Sequence, residues 1–168
     1  MRQLTILFVL GACIACPQGY DDAKTTAAKA IRQGKPIEAQ RIAEPLSKSA
    51  PDDIDLWYTL AQAYRLQGKL DLAEKATQWM LDLRPDFLGG LWEAGLLREH
   101  AKDLAGAVDL LNSVYRQIPA FKSDDRARIL TDIARIFDKQ ELKDDAAMLR
   151  KEIERLKEAD RVHTPPHP

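Results

Sequence analysis

The sequence contains few cysteines, few aromatic residues and no excess of charge of one sign. Cys13 and Cys16 are the only cysteines among 168 residues, so no disulfide bond stabilises the chain beyond its first residues. Aromatic residues make up 7% of the chain and charged residues 30%, while Ala and Leu dominate the apolar set. This composition favours an all-α protein over a sheet protein.

The balance of charge argues against nucleic acid as a partner. Lys and Arg number 25 against 26 Asp and Glu, which gives a net charge of −1 without a basic cluster. Binding to phosphates requires clustered Lys and Arg. A patch for anionic membrane surfaces is disfavoured for the same reason.

The sequence also lacks a recognisable catalytic pattern. It has no Ser-His-acid set, no Gly-rich phosphate loop and no spacing typical of metal ligands. Of the three histidines, His163 and His167 lie in the segment HTPPHP, where a solvated tail is a better interpretation than a metal site. We therefore predict that the protein is not an enzyme and binds no metal and no cofactor.

The N-terminus has the features of an export signal. One positive charge, at Arg2, precedes an uncharged apolar run over 4–15. That run is shorter than the roughly 20 residues that cross a bilayer, and its small residues near the end are typical of a secretory signal. The sequence predicts a signal peptide over 1–12, possibly to 15, and a tether over 13–19; a buried first helix is the alternative.

Both cysteines lie at the end of this run. The segment LGAC (10–13) resembles the lipobox of bacterial lipoproteins, in which the Cys is acylated after cleavage, and this predicts lipidation at Cys13, with Cys16 as the alternative. The resemblance implies a protein held on the periplasmic side of a bacterial membrane. Cleavage without a lipid, which would give a soluble periplasmic protein, and a retained Cys-x-x-Cys redox or metal pair remain open.

The rest of the chain repeats with a displacement of 34 residues. Four columns of residues share this register. They are Gly34 and Gly68; Pro51, Pro85 and Pro119; Ala39, Ala73 and Ala107; and Ala27, Ala61 and Gly95.

Each unit reads as a pair of antiparallel helices. In the second unit one face of the first helix carries Trp57, Leu60, Ala61 and Tyr64, at helical spacing. Gly68 predicts the turn between the helices, and Pro85 the end of the second. That second helix is expected to bury Leu72, Ala73, Ala76 and Met80. Asp52 and Asp86 are predicted to cap the helices that follow them.

These residues resemble the tetratricopeptide repeat. The resemblance rests on WYTLAQAY (57–64), Gly68, Ala73 and Pro85, with Thr77 at a position where an aromatic residue is usual. It implies a right-handed α-solenoid of about four units. The repeats are placed at 20–53, 54–87, 88–121 and 127–160, with a disordered tail over 161–168.

Two features depart from the regular repeat. A five-residue insertion over 122–126 precedes the fourth repeat and is predicted to lengthen its first helix. Pro45 falls inside the second helix of the first repeat, and it is predicted to kink or end that helix near Glu44.

The resemblance implies that the protein binds a protein or peptide in a concave groove lined by the first helices. Tyr58 and Trp92 are the predicted anchors, and packing between adjacent helices is the alternative. The predicted groove comprises Tyr58, Gln62, Arg65, Trp92, Leu96, Glu99 and Arg135. It lacks the Lys/Asn pattern of members that hold chaperone C-termini.

Three functions are compatible with the sequence. The first is a non-catalytic scaffold of the bacterial cell envelope, tethered by a lipid, that assists assembly of a larger complex. The second is a soluble periplasmic peptide-binding protein or maturation chaperone. The third, a thiol-redox protein using Cys13 and Cys16, requires that the leader be retained. The sequence does not identify the partner, and it predicts no oligomeric state.

Overall fold

A computed structural model describes residues 17–118 and 123–163 of the chain. All regular structure in these residues is helical, as predicted. The eight helices are α1 (Pro17–Arg32), α2 (Pro36–Ser49), α3 (Ile54–Leu66), α4 (Leu70–Leu83), α5 (Leu88–His100), α6 (Leu104–Gln117), α7 (Ser123–Lys139) and α8 (Lys143–His163). The predicted signal peptide, Cys13, Cys16, Pro119 and the segment 164–168 lie outside the described residues. None of the described helices is long and apolar enough to span a membrane.

The helix boundaries follow the 34-residue period. α2, α4 and α6 begin at 36, 70 and 104, and α3 and α5 begin at 54 and 88. The insertion then adds to the start of α7, which has 17 residues where α5 has 13. The sequence prediction for the insertion is therefore confirmed.

The turns between paired helices use one backbone conformation throughout. Gly34 and Gly68 have φ of +69° and +73°, the left-handed region that glycine tolerates. Lys102 and Glu141 occupy the equivalent places in the later repeats with φ of +69° and +60°. The fold thus imposes the same turn even where the sequence no longer supplies glycine.

Small residues set the distance between paired helices. Ala39, Ala73, Ala107 and Ala146 are fully buried in the second helices, opposite Ala27, Ala61, Gly95 and Ala134 in the first. A Cβ atom added at Gly95 would lie 2.9 Å from Cδ2 of Leu111 on α6. The columns of small residues in the sequence therefore mark the sites of closest helix approach.

The odd-numbered helices form the inner layer of the array. α1 contacts α3, α3 contacts α5 and α5 contacts α7, whereas no two even-numbered helices touch within the described residues. Elements that lie closer together are on the inside of a curved stack, so the odd-numbered helices line the concave side.

The core is divided between the second and third repeats. Leu56, Leu60 and Met80 belong to one buried cluster, which also includes Leu97 from α5. Trp92, Leu96 and Leu111 belong to a second cluster, which continues into α7 and α8. The two clusters therefore meet within α5.

Both ends of the helical array extend further than predicted. α1 begins at Pro17, so 17–19 are helical although the sequence places them in the tether. Proline is favourable in the first turn of a helix because its missing N–H has no partner there. α8 continues to His163, so 161–163 are not part of a tail. The next residue that cannot continue a helix is Pro165.

Pro45 does not end α2. The helix continues to Ser49 with Pro45 inside it, so the predicted end near Glu44 is wrong, and the predicted kink stays a prediction. Proline removes one N–H group from the helix, and the carbonyl that loses its partner belongs to Arg41. Both residues are exposed, so water can bind that carbonyl.

Three local predictions for the second unit are wrong. Asp53, not Asp52, caps α3 by accepting a bond from the Asp55 N–H at 3.1 Å. Phe87 occupies the N-cap position of α5 without a side-chain bond, so Asp86 does not cap it. Leu72 is exposed, and the buried face of α4 is formed by Ala73, Ala76, Thr77 and Met80.

Trp57 is only half-buried, although it was predicted on the core face with Leu60, Ala61 and Tyr64, which are buried. Its ring packs against Trp79, with the centroids 5.7 Å apart. Both indole N–H groups donate to the carbonyl oxygen of Pro51. The aromatic pair therefore anchors the loop between α2 and α3 to the second repeat.

Candidate functional site

A cavity of about 280 Å³ opens on the concave side where three repeats meet. Each of α3, α5 and α7 contributes three side chains. These are Tyr58, Gln62 and Arg65; Trp92, Glu93 and Leu96; and Arg128, Thr131 and Asp132. The cavity brings together five of the seven residues predicted for the groove. Glu99 and Arg135, the other two, lie outside its lining.

The two predicted anchors are held by their neighbours. Tyr58 lies edge-on to the ring of Phe87, with centroids 5.9 Å apart. Burial, and then the charge of Glu93, raise the pKa of the Tyr58 hydroxyl well above its usual value. Trp92 is only 8% exposed. The structure therefore places both aromatic side chains partly inside the packing between helices. This agrees with the alternative that Tyr58 and Trp92 pack between helices.

The polar edge of Trp92 ties α5 to α7. Its Nε1–H donates to Oδ2 of Asp132 at 2.9 Å. The Arg128 guanidinium lies over the indole ring, 5.0 Å from its centroid. Since Arg128 remains largely exposed, this contact presents a cation on the wall of the cavity.

A buried ion pair joins α3 to α5 at the floor of the cavity. Arg65 donates through Nε to Glu93 Oε2 at 2.6 Å and through Nη2 to Oε1 at 3.1 Å. Glu93 is 2% exposed. Burial acts to lower the pKa of the Arg65 guanidinium, but the bonds to Glu93 outweigh it and raise that pKa. The predicted polar contact of Arg65 with a partner is thus already made within the protein.

A second buried carboxylate joins α5 to α7. Glu99 accepts bonds from Arg135 and, at 2.7 Å, from Lys139, while Arg135 also contacts Asp132 at 2.8 Å. Burial acts to raise the pKa of the Glu99 carboxyl, but the bonds from Lys139 and Arg135 hold it below its ordinary value. Glu99 is therefore charged at neutral pH and is not available to a partner.

A third carboxylate links α1 to α3. Asp53 accepts bonds from Lys24 at 2.8 Å and from the Tyr20 hydroxyl at 2.8 Å. Burial and the bond to Asp53 raise the pKa of Tyr20 to about 12. Each successive pair of inner helices is therefore joined by a carboxylate that bridges two repeats.

This arrangement suits recognition of an extended chain. The cavity is lined by the side chains of Tyr58 and Trp92, the Gln62 amide, the Thr131 hydroxyl and the Arg128 cation. In the described residues no group of three or more His, Cys, Asp or Glu side chains is placed to hold a metal ion. The side chains present can bind hydrogen-bonding and apolar groups of a peptide.

The predicted groove did not include Glu93, Arg128, Thr131 and Asp132, which also line the cavity. Arg128 precedes Thr131 by three residues and Arg135 by seven, so it falls on the same face of a helix. Extending that face by one turn towards the start of the predicted fourth repeat would have found Arg128. The sequence gave no such signal for Glu93. Its role follows from its ion pair with Arg65, and that contact is visible only in the folded structure.

The comparisons with known proteins agree with this geometry. Residues 30–86 match the family model of the tetratricopeptide repeat. No curated protein sequence matches the chain.

Solved structures resemble the chain in fold at low sequence identity. MamA 41-end from Desulfovibrio magneticus RS-1 is 20% identical, with 84% of this chain and 77% of that chain covered and a TM-score of 0.60. PilF of Pseudomonas aeruginosa is 14% identical over 83% of this chain and 61% of its own, with a TM-score of 0.66. A putative kinesin light chain from Podospora anserina with nearly identical TPR-like repeats is 13% identical over 90% and 100%, with a TM-score of 0.53.

At these identities the likeness shows the fold alone. Residues 30–86 therefore match the tetratricopeptide repeat family, and the described residues as a whole have the helical repeat fold of these solved structures.

Proposed function

We propose that this protein is a non-catalytic scaffold of a bacterial cell envelope that binds an extended segment of a partner protein in its concave cavity. The observation that carries the proposal is the convergence of side chains from three repeats on one cavity. Proteins built from tetratricopeptide repeats bind protein partners, and two of the structural neighbours, MamA and PilF, are bacterial.

The chemistry of the cavity supports a peptide over a charged small molecule. Its acidic groups, Glu93 and Asp132, are already bonded to Arg65 and Trp92. The polar groups at its mouth are the amide of Gln62 and the hydroxyl of Thr131, which match the hydrogen-bonding groups of a peptide backbone. Arg128 adds a single cation for an acidic side chain or carbonyl oxygen of the partner.

The test avoids Trp92 and Leu96, because they are core side chains whose truncation costs about 2–5 kcal/mol of stability. A photo-crosslinking amino acid at position 62 in living cells should capture a defined partner. The same amino acid at Gln78, on the exposed side of α4, should not capture it.

A pair of matched variants then assigns the surface. Gln62→Ala with Arg128→Glu should abolish co-purification of the captured partner, whereas Gln78→Ala with Arg116→Glu should leave it intact. Helicity measured by circular dichroism should be the same in both. Equal partner recovery from both double variants would contradict the proposal.

We further propose that a lipid on Cys13, or alternatively on Cys16, tethers the protein to the membrane. Support comes from the charged start and apolar run of the leader and from the segment LGAC. A tether would keep the scaffold beside the complex that it helps to assemble.

Mass spectrometry of the mature N-terminus tests the tether. An acylated Cys13 or Cys16 supports it. Cleavage without acylation favours a soluble periplasmic peptide-binding protein or maturation chaperone, and an intact leader favours a thiol-redox role for the Cys-x-x-Cys pair.

A further inference from the structure

The outer side of α4 carries three large apolar side chains that remain exposed. Leu72 is 41% exposed, Trp79 44% and Leu83 41%. Trp79 follows Leu72 by seven residues and precedes Leu83 by four, so helical spacing places all three along one side of α4. Within the described residues α4 packs against no helix other than α3 and α5. The three side chains therefore form an uncovered apolar surface, the α4 stripe.

The repeat does not require apolar residues at these positions. In α2 and α6 the residues 34 positions before and after the α4 stripe are polar, small or proline. They are Glu38, Pro45 and Ser49 in α2, and Gly106, Ser113 and Gln117 in α6. The stripe is therefore specific to α4 among these three helices, and an exposed apolar surface of this kind is typical of an interaction site.

Trp79 is held in place although its ring is partly exposed. Its Nε1–H donates to the Pro51 carbonyl at 3.0 Å, and its ring packs against Trp57. A partner that covers Trp79 therefore contacts a side chain that is already ordered, so little conformational entropy is lost on binding. Tryptophan is also one of the residue types that most often dominate the binding energy of an interface.

Charged residues of both signs border one edge of the α4 stripe. Lys75 and Asp82 are exposed, and among the described residues neither forms an ion pair. Asp82 accepts one hydrogen bond, from Gln78 at 2.7 Å. The seven residues between Lys75 and Asp82 separate them by about 10 Å along the helix, too far for a contact with each other. A partner that covers the stripe therefore meets one cation and one carboxylate along the same edge.

This pattern is complementary to itself when two copies of α4 pack antiparallel. If the two-fold axis passes beside Trp79, Lys75 lies level with Asp82 of the second copy. Leu72 then lies within about 3 Å, measured along the helix, of Leu83 of the second copy. A two-fold axis brings the same edges of the two helices together, so each of these contacts is made twice. The apolar and charged residues of α4 are thus matched in one register.

We propose that the protein forms a homodimer through the α4 stripe, with the two α4 helices antiparallel about a two-fold axis. α4 has 14 residues, and a single pair of helices of this length buries a small interface. The dimer is accordingly weak, and its population rises with protein concentration. The stripe belongs to the outer layer of helices, so the proposal does not depend on the function assigned to the concave cavity.

Sedimentation equilibrium of the full chain tests the dimer. The parent should change from monomer to dimer as its concentration rises. Leu83→Lys places a charge against the apolar stripe of the second copy and should weaken dimerisation at least about tenfold. Met148→Glu changes an apolar side chain of α8 that is 69% exposed, and it should leave the dissociation constant within about twofold. Circular dichroism should show the same helicity in all three proteins.

A charge exchange tests the antiparallel register. Lys75→Asp or Asp82→Lys alone places like charges level with each other at both edges, which should weaken the dimer about three- to tenfold. The protein with both changes restores opposite charges and should return to within about twofold of the parent. A mixture of the two single variants should form a heterodimer that is tighter than either homodimer, because one variant presents two carboxylates and the other two cations.

Photo-crosslinking tests the same contact in living cells. A crosslinking amino acid at position 72 should yield a dimer of this chain, attached to residues within 77–84 of the second copy. The same amino acid at position 148 should yield no dimer.

Four results would overturn the proposal. A parent that stays monomeric, or a crosslink from position 72 to a different protein, would show that a second copy does not cover the α4 stripe. Equal dimerisation of Leu83→Lys and the parent would place the interface elsewhere. A double charge variant as weak as the single variants would contradict the antiparallel register.

Discussion

At the scale of single residues, the left-handed turn shows how the fold overrides the local sequence. Gly34 and Gly68 adopt positive φ without steric cost, but Lys102 and Glu141 adopt it against the contact of their Cβ atoms with the backbone. The helices on either side of each turn are fixed by packing. The fold therefore holds Lys102 and Glu141 in a backbone conformation that these residue types disfavour.

Lys102→Gly should accordingly stabilise the protein by about 0.5–1 kcal/mol, since glycine relieves the strained φ. Glu141→Gly should act in the same direction. Urea unfolding followed by circular dichroism measures both. Lys69→Gly is the control, because Lys69 has φ of −84° and glycine there gains nothing. A stabilised Lys69→Gly, or a destabilised Lys102→Gly, would contradict the explanation.

At the scale of the helix, α2 contains a proline that was predicted to kink or end it, and the helix does not end there. The buried residues Ala39, Ala43 and Ser47 pack on both sides of Pro45 along the helix. Tertiary packing therefore keeps α2 continuous despite one missing hydrogen bond.

Pro45→Ala restores the N–H group that the Arg41 carbonyl lacks. We expect the free energy of unfolding to rise by about 1–3 kcal/mol, because proline inside a helix is about 3 kcal/mol less favourable than alanine. Lys48→Ala, another exposed residue of α2, should change stability by less than about 0.5 kcal/mol. Chemical denaturation measures the free energy of unfolding of both variants. Equal values for Pro45→Ala and Lys48→Ala would mean that Pro45 does not destabilise α2.

Glu99 makes the contact between α5 and α7 sensitive to acid. The folded protein holds the pKa of this carboxyl below its ordinary value of 4.5. The unfolded chain then binds a proton at a higher pH than the folded protein. The stabilisation is complete above pH 4.5 and is lost as the pH falls through the folded-state pKa.

Melting temperatures between pH 7 and pH 3 test this linkage. Glu99→Gln should lower stability at pH 7 by about 1–3 kcal/mol, and it should show a smaller fall in melting temperature on acidification than the parent. Glu154→Gln, which changes an exposed pair with Lys157, should retain the parent's pH profile. If Glu99→Gln showed the same fall in melting temperature on acidification as the parent, the Glu99 carboxylate would not be the source of the acid sensitivity.

At the scale of the whole molecule, two large hydrophobic clusters and one small one form the core of the described residues. The two large clusters meet within α5, where Leu97 belongs to one and Trp92 and Leu96 belong to the other. The Arg65–Glu93 pair joins α3 to α5 on the inner side. The ion pair between Arg65 and Glu93 therefore contributes to the coupling energy between the two large hydrophobic clusters.

Arg65→Met should cost about 3–5 kcal/mol, because it leaves Glu93 buried without a counter-ion. Arg65→Met with Glu93→Met should cost less than the sum of the two single changes, since the double variant leaves no buried charge. Urea unfolding of the four proteins gives the coupling energy. Additive effects would show that the pair does not connect the two cores.

The sequence by itself determined the repeat. Its period, the turn glycines and the alanine columns depend on local periodicity and residue size, and they predicted the helix pairs and five of the nine residues around the concave cavity. Residues such as Tyr58 and Gln62 were found because helical spacing alone places them on one face.

Only the tertiary structure decided which side chains satisfy one another. The ion pairs of Arg65 and Glu99 join residues 28 and 36 or more positions apart, and no local pattern reveals such partners. The burial of Trp92 likewise depends on how neighbouring repeats pack. Periodicity fixes the face on which a residue lies, whereas its burial and its partner are set by the helix packed against that face.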